Sequence, residues 1–598
     1  MYLRISRQRR KDGSSLSYFQ LAHNSWDPVA KRSRVKILHN VGRADNDESA
    51  EALRRLARSI LARLDPEQVA AQQTDCRLQG AWPYGDLYAL QGLWERLGIP
   101  RAIAKARGSR RVRFDVERAL FVLVANRACA PASKLHCFRQ WLAEEVRLEG
   151  VGGLSLQHLY RAMDFLEAHR EELEEEIFWN TAQLLQLDTE LLFFDTTSLH
   201  WEIDEEDEGE PSVGPSGREC GPLRKRGYSK NGRGDAPQVV IGLAVTREGL
   251  PVRHWVFPGN TVDVETVRRA KRDLAGWRLT RCVFVGDAGM VSEANLQALA
   301  AAGGRYLVGQ SLQAGREAYE EVLGRPGRYR KVAENLRVKV VVVGEGERRR
   351  RYALCWNPEE AQRQKQHRDR VLEELAAELA LLQESRRKAQ EQARKRAKAG
   401  QAPAQGDGKT ATRAQSEGRA GGKGTGSAVP GHSKRECQLR SSKRYGRYLK
   451  TRKDGSLAID PQKVRAAARR DGKFVVRGND DSLSGEDMAL GYKQLQRVEE
   501  AWRSLKSGLR LRPVHHWLPH RIEAHVSIAV LALLLERMAE RACGDTWRNI
   551  RDRLKRIQLA QLLNGKKTVW QVTEPTKEAR KMLKRMKLDE PAPILRID

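Results

Sequence analysis

Three acidic residues stand out by what surrounds them. Asp195 follows the apolar run in "LLFFDTTSL", Asp287 ends "RCVFVGD", and Glu499 lies within "YKQLQRVEEAWRSLKSGLRLRP", Tyr492 to Pro513. The first two runs have the composition of buried strands. Strands that end on aspartates and lie side by side bring their carboxylates within reach of shared metal ions. Two divalent ions about 3.5–4 Å apart can activate a nucleophile and stabilise the leaving oxygen of a phosphodiester. Mg2+ prefers carboxylate oxygen and water to nitrogen or sulfur, and Mn2+ could replace it.

A third carboxylate on a neighbouring helix would complete the set. At about 100° per residue, Leu495, Val498, Trp502, Leu505 and Leu509 fall on one stripe that should face a core. Tyr492, Glu499, Arg503 and Lys506 run along one border of that stripe. Glu500 points with Arg497 into the solvated face. On this helix alone a half-exposed Glu499 paired with Arg503 is the better account. Basic composition together with the three placed carboxylates favours a metal-dependent nuclease class instead. Trp502 lies on the buried stripe, so it reads as core rather than as a base-stacking residue.

The elements that must position these residues lie in a basic, multi-domain chain of 598 residues. Its formal charge is +31, its pI about 10.0, and 31% of its residues are charged. A surplus that large calls for a polyanionic partner, nucleic acid before a membrane surface. No apolar run reaches membrane-spanning length and the start lacks the apolar core of a signal peptide, so residence in the cytoplasm with DNA is expected. The eight cysteines are scattered without a CxxC pair, which argues against a zinc site and a disulfide framework.

Along the chain, residues 1–47 read as a small β module. Residues 48–190 are patterned as helices and are the expected DNA-end-binding region, with no recognition helix singled out. Residues 191–310 alternate three strands, a helix, a strand, a helix and a strand, the first part of an α/β catalytic layer with a mixed sheet. Residues 311–475 read as an insertion: β hairpins, a long basic helix, and the low-complexity tract near 401–430, expected to be disordered. Over 361–450 there are 22 lysines and arginines against 9 acidic residues. Residues 476–540 return to the catalytic layer, and 541–598 read as a charged helical end. The acidic run Glu202 to Glu210 reads as a solvated turn. Lys225, Arg226 and Lys230 are candidates for backbone-phosphate contacts.

With these residues in place the sequence resembles the DDE transposases of bacterial insertion sequences, in the branch with the signature Y-x2-R-x3-E-x6-K. Tyr492, Glu499 and Lys506 match three of its four positions. The arginine position is Leu495, so its role is lost or taken by Arg497 or Arg503. "FFDTTSLHW" and "FVGDAGM" resemble the first two acidic motifs, and "RGYSKNGRGDAPQVVIGLAV" and "PGNTVDVETV" the segments between them. Separations of 92 and 212 residues between the three acids suit a catalytic domain split by a large insertion. The resemblance implies a ribonuclease H-like fold, two Mg2+ ions held by Asp195, Asp287 and Glu499, and DNA contacts from Tyr492, Lys506 and Arg503. It further implies binding of terminal inverted repeats as a homodimer on DNA, hydrolysis at the ends, and joining of the 3′-OH to target DNA. A nuclease of the same fold without strand transfer, and a noncatalytic DNA-binding protein, remain the alternatives.

Overall fold

The computed structural model describes the chain apart from residues 11–14, 62, 64–75, 110–111, 188–189, 215–216, 230–231, 278, 280–281, 291, 314–315, 347–348, 399–433 and 566. The low-complexity tract and Lys230 therefore lie outside the described residues. The chain divides into two compact units: Met1–Asp86 with Asp552–Leu583 and Asp589–Asp598, and Leu87–Arg551 with Lys584–Leu588.

In the first unit β1 (Tyr2–Arg9), β2 (Ser15–Asp27) and β3 (Arg32–Arg43) form an antiparallel meander, as the alternating N-terminal sequence predicts. The same unit holds β4 (Cys76–Pro83), within a region expected to be helical, and β18 (Gln558–Asn564), β19 (Lys567–Val572) and β20 (Ile594–Ile597). These four make one antiparallel sheet in the order β20-β19-β18-β4. The chain end is thus part strand, not wholly helical. The turn between β18 and β19 carries Asn564-Gly565, with Gly565 at φ 59°, and Asn-Gly between β-prone runs is a strong hairpin signal.

The second unit is built on a nine-stranded mixed sheet. β5 (Leu191–His200), β10 (Val283–Gly286) and β11 (Arg305–Gln310) run parallel to one another. On one side β8 (Gln238–Thr246) and β9 (Pro251–Pro258) continue the sheet antiparallel from β5. On the other, β17 (Lys473–Gly478) joins β11 to β14 (Arg350–Trp356), followed by β13 (Leu336–Val343) and β12 (Arg330–Ala333). The hairpins of the insertion therefore lengthen the central sheet rather than forming a body apart from it. β6 (Ser212–Val213) with β7 (Glu219–Cys220), and β15 (Leu449–Thr451) with β16 (Leu457–Ile459), are small two-stranded ladders.

Both faces of the sheet are covered, which is why β8 is buried at every position. Helices Asp263–Gly276 and Glu293–Ala300 cover one face through Val267, Ala270, Leu274, Leu296 and Leu299, against Leu192, Phe194, Phe284 and Val308. Strand alternation sends Phe193, Asp195, Val285 and Leu307 to the opposite face. There the helices Gly485–Lys493 and Gln496–Arg503 pack against β5, β8 and β11. The largely buried helix Pro519–Cys543 packs on β9 and on helices Val116–Cys129 and Leu156–Ala168. One of its buried carboxylates is compensated: Glu523 accepts from Arg170 at 3.0 Å and from Arg218 at 2.6 Å. Among the described residues no helix is long and apolar enough to cross a membrane.

The 41-residue helix Pro358–Lys398 runs where the sequence predicts it. Its apolar positions Val371, Leu375 and Leu379 are covered by Leu439, Tyr448, Leu449 and Leu457 of the same chain. The architecture is α/β, with helices on both faces of a mixed, largely antiparallel sheet, consistent with a ribonuclease H-like fold carrying an insertion.

Candidate active site

Two adjacent parallel strands set the level of the aspartates. Phe193 of β5 pairs with Val285 of β10. Two residues further along each strand lie Asp195 and Asp287, on the same face. Asp287 follows the last residue of β10, as the sequence predicts. Asp195 does not end its strand. β5 continues through Thr196, Thr197 and Ser198 to His200, because β8 keeps pairing with it to that point. Only the parallel pairing with β10 stops near Asp195, so the carboxylate stands where one neighbour leaves and the other stays.

The helical side of the site differs from a single continuous helix. Ser484 and Asp487 cap the tyrosine-bearing helix reciprocally: the Asp487 N–H donates to Ser484 Oγ at 3.1 Å, and the Ser484 N–H donates to Asp487 Oδ2 at 2.9 Å. That helix ends at Lys493. The junction tightens through Leu495 N–H to Tyr492 O at 2.9 Å and Arg497 N–H to Gln494 O at 2.8 Å, bonds of the three-residue kind that close a helix end. A second helix, Gln496–Arg503, carries Glu499, and a wide π turn follows over Ser504–Gly508. The apolar stripe survives the break: Leu495, Val498, Trp502, Leu505 and Leu509 are all buried. Glu499 is exposed beside it, whereas Glu500, expected on the solvated face, is only half-exposed and pairs with Arg497 at 3.0 Å. No hydrogen bond or ion pair of Glu499 with Arg503 is among the contacts described.

Tyr492 ties the helical side of the site to Asp287. Its phenol donates to Asp287 Oδ1 at 3.2 Å. Burial first, then the Asp287 charge and this hydrogen bond, and then the charges of Glu499 and Asp195, push the phenol above its ordinary pKa. The hydrogen bond joins residues 205 positions apart in the sequence. The ring lies over Gly309 of β11, where an added Cβ would overlap the phenol, and it stacks on Phe474 of β17 at 6.0 Å between centroids. Sequence reasoning missed Gly309 and Phe474. The signal for the first was there: a glycine inside the buried-type run "RYLVGQ" often marks a close approach by another group.

The donors suit a hard cation, being carboxylate oxygens. Among the described residues, however, no group of three or more His, Cys, Asp or Glu side chains is arranged to hold a metal ion. Arg503 and Lys506 are exposed on the helix and on the π turn after it.

The remaining basic candidates are engaged elsewhere. Lys225 and Arg226 lie 3.9 and 3.7 Å from the Glu206 carboxylate, and Arg226 also donates to the carbonyl of Asp235 at 3.0 Å. The acidic run is not an unoriented solvated turn. Arg224 Nε donates to Asp207 at 2.7 Å, and Arg233 bridges Glu202 and Asp235 at 3.1 and 3.0 Å. The basic loop and the acidic run neutralise each other, a pairing between residues about 20 positions apart that charge patterning alone does not reveal.

Residues 215–535 match the transposase DDE domain, more than half of the chain, and the chain belongs to that family. Residues 3–74 match the IS1634 family transposase N-terminal domain. The first match takes in Asp287, Tyr492 and Glu499 and begins after Asp195. No curated protein matches the chain. A cryo-EM structure of the piggyBac transposase synaptic complex with hairpin DNA aligns over 79% of each chain, at 10% identity and a TM-score of 0.31.

Proposed function

We propose that the protein is a DNA transposase. It binds the terminal inverted repeats of an insertion sequence, hydrolyses phosphodiesters at the ends and joins the 3′-OH to target DNA by metal-dependent transesterification. The observation that supports this reading is the β5–β10 pairing that sets Asp195 level with Asp287, with Asp287 bonded to Tyr492 and with Asp287, Tyr492 and Glu499 inside the matched transposase segment.

In this reading Asp195, Asp287 and Glu499 hold Mg2+, or Mn2+ in its place. When bound, the metal supplies activation of the attacking oxygen and stabilisation of the leaving oxygen. The chain's own residues prepare the site. β5 and β10 bring two carboxylates level, the Gln496–Arg503 helix presents the third, and Tyr492 holds Asp287 by a hydrogen bond. Lys506 and Arg503, exposed beyond Glu499, contact backbone phosphates. Lys225 and Arg226 could join them only by leaving Glu206. The signature Y-x2-R-x3-E-x6-K is met at Tyr492, Glu499 and Lys506, with Leu495 buried where the arginine would stand. The formal charge of +31 supports a duplex DNA partner, and a homodimer on paired DNA ends is the expected assembly.

The test is incubation of the purified protein and Mg2+ with DNA bearing the element's own ends, followed by mapping of cut and joined strands. Cleavage at the ends with joined products is expected. Cleavage without joining points to a nuclease, and binding without cleavage to a noncatalytic DNA-binding protein.

A further inference from the structure

β11 pairs with β10 in register, Val308 with Gly286. One step further, Gly309 stands level with Asp287. Gly309 is not one of the glycines with positive φ, so its backbone does not require glycine. Space does: a Cβ there would overlap the Tyr492 phenol. The tyrosine's helix sits close to the same strand, since a Cβ at Gly491 would come within 3.2 Å of Leu307. The Tyr492 ring thus runs from Phe474 on β17, across the bare backbone of β11, to Asp287 beyond β10. Its hydroxyl and the Ala288 N–H, at 3.2 and 2.6 Å, both bond Asp287 Oδ1. Oδ2 takes neither bond.

We infer that Gly309 and Tyr492 act together as a positioning device for Asp287: the missing side chain makes a slot, the ring fills it, and the phenol fixes which carboxylate oxygen faces a cation. The inference rests on the proposed metal role of Asp287 and gives Tyr492 a task distinct from touching DNA. Polar groups that hold a metal ligand from behind typically carry about 10- to 100-fold in metal affinity or activity. Tyr492→Phe keeps the ring and loses only the hydroxyl. Gly309→Ala keeps the hydroxyl and closes the slot.

Two measurements on the full chain without DNA test this. The first is Mn2+ binding followed by electron paramagnetic resonance. Tyr492→Phe and Gly309→Ala should each weaken it about tenfold, and the double variant Gly309→Ala/Tyr492→Ala should match Tyr492→Ala alone, since an absent ring cannot be displaced. The second is thermal melting without metal. Gly309→Ala should lower the melting temperature, and Tyr492→Ala in the same chain should restore part of the loss. If Asp287→Asn binds Mn2+ as the parent does, the metal reading of Asp287 fails. If Asp287→Asn loses Mn2+ but Tyr492→Phe and Gly309→Ala bind it normally, the positioning role is overturned while the metal reading stands. Melting effects that add independently would overturn the slot, whatever the metal does.

Discussion

Glu536, on the buried helix Pro519–Cys543, makes stability depend on pH in a direction that can be worked out. The residue is 6% exposed. Burial, and then the nearby Glu540 charge, push its carboxyl up to about 8, against the opposing pull of Arg537 and Arg551. In the unfolded chain it titrates near 4.5. Below that pH both states are protonated and the group contributes nothing to the slope. Between 4.5 and 8 the folded state keeps a proton that the unfolded state has lost, so stability falls as pH rises, by about 1.4 kcal/mol per unit. The cumulative loss reaches at most about 5 kcal/mol by pH 8 and then levels off. Glu536→Gln mimics the neutral form and should abolish this slope. Denaturation by urea, followed through tryptophan fluorescence at pH 5, 6, 7 and 8, would compare parent and variant. The two should differ little at pH 5, and by pH 8 the variant should be more stable by several kcal/mol. Stability differences that do not change with pH would refute the reasoning, because they would mean Glu536 ionises alike in both states.

Other substitutions probe the packing and charge around the site. Trp502→Ala removes a buried aromatic from the middle of the stripe and should cost about 3–5 kcal/mol in a melting experiment; unchanged melting with lost DNA contacts would make Trp502 a binding residue. Glu523→Gln leaves the buried Arg170 without its carboxylate and should destabilise by about 3–5 kcal/mol, visible by calorimetry. Neutralising Arg387, Lys388, Arg394 and Lys395 on the long helix should weaken specific and random duplexes alike. Each lost phosphate contact should flatten the salt dependence by roughly 0.9 log-log units, measurable by fluorescence anisotropy at several salt concentrations. An unchanged slope would make that helix a structural arm, a reading its covered Val371–Leu379 stripe favours.

What the sequence made legible was whatever depends on short-range periodicity. The stripe from Leu495 to Leu509 and the strand–helix alternation from Leu191 to Gln310 both follow from local patterns, whereas the relative exposure of Glu499 and Glu500 does not. The helix break at Gln494 does not, because tight turns there answer to how two helices seat on β11 and β5. Asp195 was placed at a strand end since its apolar run stops there; the hydroxyl residues beyond it stay in the sheet because β8 pairs with them. The strands on either side of Asn564-Gly565 were read as part of a charged helical end, because the charged residues around them outweighed the turn signal. The meeting of Tyr492 with Asp287 and Gly309 was not legible, since no local pattern relates positions separated by 205 and 183 residues.

The most direct measurement is strand cleavage of element-end DNA in Mg2+ by four variants with confirmed folding and end binding. Asp195→Asn, Asp287→Asn and Glu499→Gln should each nearly abolish cleavage, while Glu500→Gln, whose half-exposed side chain is engaged by Arg497, should cut close to the parent rate. Full activity in any of the first three, or equal loss at positions 499 and 500, would contradict the assignment of the three acids.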